Sequence, residues 1–201
     1  GYFLSLSGDG KVVAVGGGFG FFNHIYTWNG TAWIQTGENI YETDQEGKDL
    51  FNDYHFSVSL SSDGTIVAIG SWQNDGNGDN AGNVRVYTWN GTAWLQTGID
   101  IDGEAAGDQS GYYISLSSDG TIVAIGAKAN DGNGDYAGHV RVYTWNGTAW
   151  LQTGIDIDGE AAGDGSGTPS LNSDGTVLAI GAAGADGNGD NAGHVRIYDW
   201  T

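Results

Sequence analysis

The sequence predicts an all-β fold: a β-propeller of four similar blades of antiparallel strands, the last blade lacking its fourth strand. Three features point there. A unit of about 55 residues recurs along the chain, with "KVVAVG" at 11–16, "TIVAIG" at 65–70 and 121–126, and "TVLAIG" at 176–181. Residues 84–108 return letter for letter at 140–164. Within each unit, short apolar or alternating runs are punctuated by Asp-Gly and Asn-Gly, the residues of tight turns between strands. The expected organisation is a single propeller domain over 1–201, with units at 1–53, 54–109, 110–165 and 166–201.

The third unit shows each element in order. "YYISLS" (112–117) alternates and reads as the first strand, and "DG" at 119–120 turns it into "TIVAIG", the second. A glycine-rich loop leads to "HVRVYTW" (139–145), the third, and "NG" turns it into "TAWLQTGIDI" (148–157), the fourth. In the identical hairpin one unit earlier, a two-residue turn centred on Asn90 and Gly91 sets Trp89 opposite Thr92, Tyr87 opposite Trp94 and Arg85 opposite Gln96. The second and third strands are apolar on both sides, so each sheet needs a neighbour on each face. Four-stranded meanders packed face to face around an axis provide that. The chain opens on a first-strand pattern, "YFLSLS" (2–7), and ends on a third-strand pattern, "VRIYDWT" (195–201). Four blades closing alone is the expectation, and half of an eight-bladed ring completed by a homodimer is the alternative.

Composition narrows the function. The 201 residues carry 25 Asp and Glu against 6 Lys and Arg, a net charge of −19. That surface repels phosphate backbones, which argues against nucleic acid as a partner. No apolar run approaches the roughly 20 residues of a membrane-spanning helix, so membrane insertion is not expected. With no cysteine there are no disulfides, and with no methionine and no amino-terminal signal pattern the chain reads as a fragment or processed form.

The stretch "GYYISLSSDGTIVAIGA…AGHVRVY" (111–143) resembles the FG-GAP repeat of integrin α-chain propellers and many secreted proteins. Gly111 falls on the family's Gly, Gly126-Ala127 and Gly181-Ala182 on its Gly-Ala, and "GHVRVY" (138–143) on its third strand. The resemblance implies a non-catalytic binding or adhesion module, extracellular or at the cell surface, with a protein or glycan ligand. The chain departs from the pattern at Ser110, where the family has Phe, and at Lys128 and Ala183, where it has Pro. The family's calcium loop lies between the first two strands, where only "SSDGT" stands here, too short to wrap an ion.

No motif for an enzyme emerges. The histidines His24, His55, His139 and His194 share no common Ser or Asp neighbour, and no nucleophile elbow, P-loop or H-E-x-x-H occurs. Arg85, Arg141 and Arg196 recur once per unit and read as bridges to loop carboxylates between blades. The tryptophans Trp89, Trp94, Trp145 and Trp150 (with Trp28 and Trp33 in the first unit) could stack on sugar rings, which makes a carbohydrate-binding lectin the alternative function. A structural segment of a larger surface protein is a further one. Asn29, Asn90 and Asn146 begin Asn-Gly-Thr glycosylation sequons that the turn itself also demands.

Calcium is the one cofactor expected. The loop between second and third strands sets Asp75, Asn77 and Asp79 at alternate positions, repeated as Asp131, Asn133, Asp135 and as Asp186, Asn188, Asp190. Oxygens so spaced on a glycine-rich turn can converge on one ion. A rival set is Asp100, Asp102, Glu104 and Asp108 with its copies Asp156, Asp158, Glu160 and Asp164.

Overall fold

A computed structural model describes residues 3–17, 22–41 and 56–200. Among them the backbone forms four antiparallel sheets and no helix. The first sheet runs β1 (Phe3–Leu6), β2 (Val12–Gly16), β3 (Phe22–Trp28), β4 (Trp33–Gln35), with β5 (Ile40–Tyr41) also on β3. The second repeats it as β6 (Phe56–Leu60), β7 (Ile66–Ser71), β8 (Asn83–Trp89), β9 (Trp94–Gln96) and β10 (Ile101–Asp102). The third is β11 (Ser110–Leu116), β12 (Ile122–Ala127), β13 (His139–Trp145), β14 (Trp150–Gln152) and β15 (Ile157–Asp158). The fourth holds β16 (Ser166–Leu171), β17 (Val177–Ala182) and β18 (His194–Asp199).

The Asp-Gly turns form as expected. In the second sheet Asp63 accepts hydrogen bonds from the Ser61 hydroxyl at 2.7 Å and from the Thr65 amide at 2.9 Å, while Gly64 supplies a φ of +72°. The Asn-Gly hairpin differs from the two-residue turn. Asn90 N–H donates to Ala93 O at 3.1 Å, and the Asn90 side-chain oxygen accepts from the amides of Thr92 and Ala93 at 2.9 and 2.8 Å. The asparagine thus mimics one backbone turn inside a longer loop. The register shifts accordingly: Trp89 faces Trp94, Thr88 faces Leu95 and Tyr87 faces Gln96. The expected fourth strand is also two strands. Gly154 takes a φ of +79°, which breaks the run and leaves β14 on one half of β13 and β15 on the other.

The core lies between sheets. Ala14, Ile25 and Ile40 of the first sheet pack on Val58, Leu60, Val67 and Ile69 of the second. Ala68, Val84, Val86 and Ile101 meet Leu116, Val123, Ile125 and Tyr143, and Ala124, Val140 and Val142 meet Leu178 and Ile180. Each fully buried aliphatic side chain contributes roughly 1.5–3 kcal/mol, so three such seams bind the array as nearest neighbours.

Among the described residues the array does not close on itself, contrary to the expectation of four blades closing alone. Val84, Val86, Val140 and Val142 are 0–3% exposed, yet their counterparts Val195 and Ile197 on β18 are 65% and 72% exposed. At the other end Leu4 and Leu6 are 68% and 59% exposed, against 8% and 7% for their counterparts Val58 and Leu60. Closure depends on how much each sheet rotates from the last, which no residue encodes alone.

Candidate functional site

Two regions gather aromatic and polar side chains, both where consecutive sheets meet. The first is the row of hairpins. Trp28–Trp33, Trp89–Trp94 and Trp145–Trp150 form tilted ring pairs with centroids 5.7, 5.4 and 5.4 Å apart. Each is a directly opposed cross-strand pair. The second indole of a pair also reaches the preceding sheet: Trp94 Nε1 donates to Thr36 O and Trp150 Nε1 to Thr97 O, both at 2.9 Å. The tryptophans singled out for sugar stacking therefore join sheets as well. A groove of about 520 Å³ opens beside Trp94, with Glu38, Asn39, Tyr41, Tyr87 and Thr92 on its walls. Aromatic faces beside carboxylate and amide groups offer the mixed chemistry of a sugar or peptide site.

The second region is a polar seam between the second and third sheets. Register places Ser110, Ala127, His139 and Asp158 on one rung of the third sheet. His139 is 1% exposed. Its Nδ1 lies 3.8 Å from a Glu104 oxygen and 4.0 Å from an Asp158 oxygen, and its buried Nε2 has no hydrogen-bond partner among the described residues. Burial, then the Arg141 charge, lowers the His139 pKa against the opposing pull of Asp156, Glu104 and Asp108, which favours the neutral ring. One atom each of Glu104, His139 and Asp156 lies within 4.8 Å of the other two, the one such acid–imidazole trio among the described residues. Sequence reasoning missed it because its members come from two units; aligning Glu104 with Glu160 and His139 with His194 would have hinted at it. The copy survives as a His194–Glu160 approach of 3.7 Å.

In their hydrogen bonds the arginines depart from the expected bridges to loop carboxylates between blades: one pairs with a carboxylate of its own unit, and two cross between sheets to backbone carbonyls. Arg85 grips Asp100 through Nε at 3.0 Å and Nη2 at 2.7 Å within the second sheet. Burial alone would raise the Asp100 pKa, but the Arg85 hydrogen bonds and charge outweigh it and hold the carboxyl below its ordinary value. Arg141 and Arg196 instead reach the preceding sheet, donating to Asp102 O at 2.8 Å and Asp158 O at 2.5 Å. Asp102, desolvated and beside the Asp100 charge, has a raised pKa. The rival acid set is dispersed by these roles, since Asp108 accepts the Ala105 amide of its own turn at 3.0 Å.

The expected calcium loops are surface turns with Asp75, Asn77, Asp79, Asp131, Asn133, Asp135, Asp186, Asn188 and Asp190 all exposed. One oxygen of Asp75 accepts Asn80 N–H at 2.7 Å, matched by Asp131 with Tyr136 at 2.7 Å and Asp186 with Asn191 at 2.6 Å. The Asn77 and Asn133 amides donate to Gly103 O at 2.8 Å and Gly159 O at 2.7 Å. An ion would have to compete with bonds the loop already makes. His55 and most of the divergent stretch 38–49 lie outside the described residues.

No family model and no curated protein matches the chain. Solved structures do. TolB from Acinetobacter baumannii aligns over 98% of this chain and 40% of its own, with a TM-score of 0.55 at 16% identity. Hydrazine synthase of Kuenenia stuttgartiensis aligns over 98% and 45%, with a TM-score of 0.60 at 12% identity. A 6-phosphogluconolactonase candidate from Bacteroides uniformis aligns over 99% and 50%, with a TM-score of 0.63 at 12% identity. The chain spans about half or less of each of these proteins. At such identities the likeness speaks to fold alone: the described residues have the all-β, propeller-like arrangement of TolB and the lactonase candidate.

Proposed function

We propose that the four sheets are four blades of an extracellular propeller, the last with three strands, and that the chain is a non-catalytic binding or adhesion module. The observation that carries this is the recurrence of one aromatic hairpin in the same geometry on three successive sheets. Repetition multiplies weak contacts by effective concentration, which suits a multivalent ligand. The resemblance to FG-GAP repeats, with the acidic surface, supports the extracellular setting. The polar seam argues against a nucleophile and base acting together: Ser110 and His139 sit on one rung with the strand of Ala127 between them. Two inter-strand spacings separate their backbones by roughly 9–10 Å, beyond hydrogen-bond reach.

The groove beside Trp94 favours a second reading, a carbohydrate ligand stacking on Tyr41 and Tyr87, with Glu38 and Asn39 holding hydroxyls. Arrays of glycans and of extracellular-matrix proteins, probed with the chain presented multivalently, distinguish the two. Glycan binding abolished by Tyr41→Ala with Glu38→Gln supports the lectin reading, and protein binding that survives the pair supports adhesion elsewhere on the rim. Silence on both arrays would leave a structural segment of a larger surface protein as the function.

A further inference from the structure

We propose that the two open faces of this array are the two halves of one interface, so that the last sheet of one copy docks on the first sheet of a second copy, head to tail. Three recurring sets of contacts join consecutive sheets, and each stops one partner short at the ends.

The first set is apolar. The third-strand pairs Val84/Val86 and Val140/Val142 cover the first two strands of the following sheet, and Val195 and Ile197 present the same pattern with no sheet of the described residues over it. Leu4 and Leu6 present the receiving surface, in the positions where Val58 and Leu60 take the preceding sheet.

The second set is a serine ladder. Ser5 Oγ accepts Leu60 N–H at 2.9 Å, Ser59 Oγ accepts Leu116 N–H at 3.0 Å, and Ser115 Oγ accepts Leu171 N–H at 3.0 Å. The next acceptor in line is Ser170, and the donor in the matching position is the amide of Leu6, at the opposite end of the molecule.

The third set links turns. Gly8 N–H donates to Ser62 O at 2.7 Å, Ser62 N–H to Ser118 O at 2.8 Å, and Ser118 N–H to Ser173 O at 2.8 Å. The series continues with Ser173 N–H as donor and Gly8 O of a second copy as acceptor. Apolar surface, hydroxyl acceptors and turn amides thus point to the same occupant, another first sheet of this sequence. The faces differ from each other, so the contact is heterologous and closes into a ring or extends, depending on the rotation per copy.

Light scattering on the full chain over about 1–500 μM, a range spanning ordinary dissociation constants, tests this. Association to twice the monomer mass or more is expected. Leu4→Asp with Leu6→Asp blocks one face, and Val195→Asp with Ile197→Asp blocks the other; each double variant alone is expected to be monomeric. Mixed, they keep one intact junction and form a one-to-one dimer that does not grow, which no face-to-itself contact would give. Threonine at the same four positions keeps strand propensity and serves as the milder version if an aspartate pair unfolds. A parent chain that stays monomeric throughout, double variants that associate as the parent does, or a mixture that stays monomeric would each overturn the proposal.

Discussion

Gly126→Ala and Gly181→Ala are the same chemical change at the same place in two successive units, and the structure assigns them different outcomes. Neither glycine has a positive φ, so alanine is acceptable to both backbones. At Gly126 an added Cβ would overlap the carbonyl oxygen of Gly167 on the next sheet, with the Gly167 carbonyl carbon only 2.7 Å away. A carbonyl cannot rotate aside as a side chain can, so the third and fourth sheets must separate, loosening the Ala124–Val140–Val142 contact with Leu178 and Ile180. Overpacking of this kind costs about 1–3 kcal/mol, and with that seam disturbed the upper end, about 3 kcal/mol, is expected. At Gly181 the nearest neighbour is Thr168 Cβ at 3.5 Å, an ordinary contact. There the reduced freedom of the unfolded chain leaves a gain of up to about 1 kcal/mol. For a chain of this length 1 kcal/mol moves the melting temperature by roughly 2–4 °C. Thermal melts followed by circular dichroism in dilute solution should therefore show Gly126→Ala falling by about 6–12 °C, and Gly181→Ala unchanged or slightly raised. In concentrated solution Gly181→Ala should instead weaken association. Equal losses at both positions would refute the reasoning, because the two sites differ in the sheet beyond them and in little else.

Other consequences can be measured alongside. Asp100→Asn leaves the buried Arg85 guanidinium half-paired and should cost about 2 kcal/mol in urea unfolding, low for such a pair because Asp100 is partly open to water. Since its folded pKa is depressed, the Asp100 contribution is whole above the ordinary value of 3.8 and is lost as pH falls through the lower folded value; acid melts should show the variant losing less over that range. His139 has a lowered folded pKa, so the unfolded chain binds more protons as pH falls through 6.5 and stability declines there. His139→Asn, which puts at this position the asparagine that Asn83 provides one unit earlier, should flatten the fall in melting temperature as pH drops below 6.5. Ser115→Ala strands the Leu171 amide and should cost about 1–3 kcal/mol, with hydrogen exchange at Leu171 accelerating most. If calcium enters the 75–79 type loops, its affinity should be in the extracellular range of roughly 0.1–1 mM, raising the melting temperature over that in chelator. No shift at millimolar calcium would retire calcium as a ligand.

The strand order and the apolar pattern of the second strands were legible because they are local: "TIVAIG" is apolar on both sides wherever it sits, and Asp63 with Gly64 writes its own turn. The hairpin register was not, because an Asn-Gly pair is compatible with two turn lengths and only the Asn90 side chain, accepting two amides, selects the longer one. The break at Gly154 was hidden by the apolar residues that continue past it. The Glu104–His139–Asp156 trio was out of reach for another reason: its members converge from separate units, and the only signal was their common position within the repeat. The groove at Trp94 needs Tyr41 from the sheet before it, so it too is visible only once the sheets are set side by side.

The identical stretches 84–108 and 140–164 build the same strands and hairpin in two adjacent sheets. Neither stretch can distinguish its own partner strand from its neighbour's. A nascent β13 meets in β7 nearly the same edge as in β12, "IVAIGS" against "IVAIGA". Correct assembly then depends on order of arrival rather than on discrimination. Synthesis from the amino terminus lets each sheet complete before its twin emerges, whereas refolding from denaturant releases both at once and invites exchange between units and between molecules. The chain should therefore refold less faithfully in the test tube than it folds when made, and diluting the denatured protein should recover only the intermolecular part of the loss.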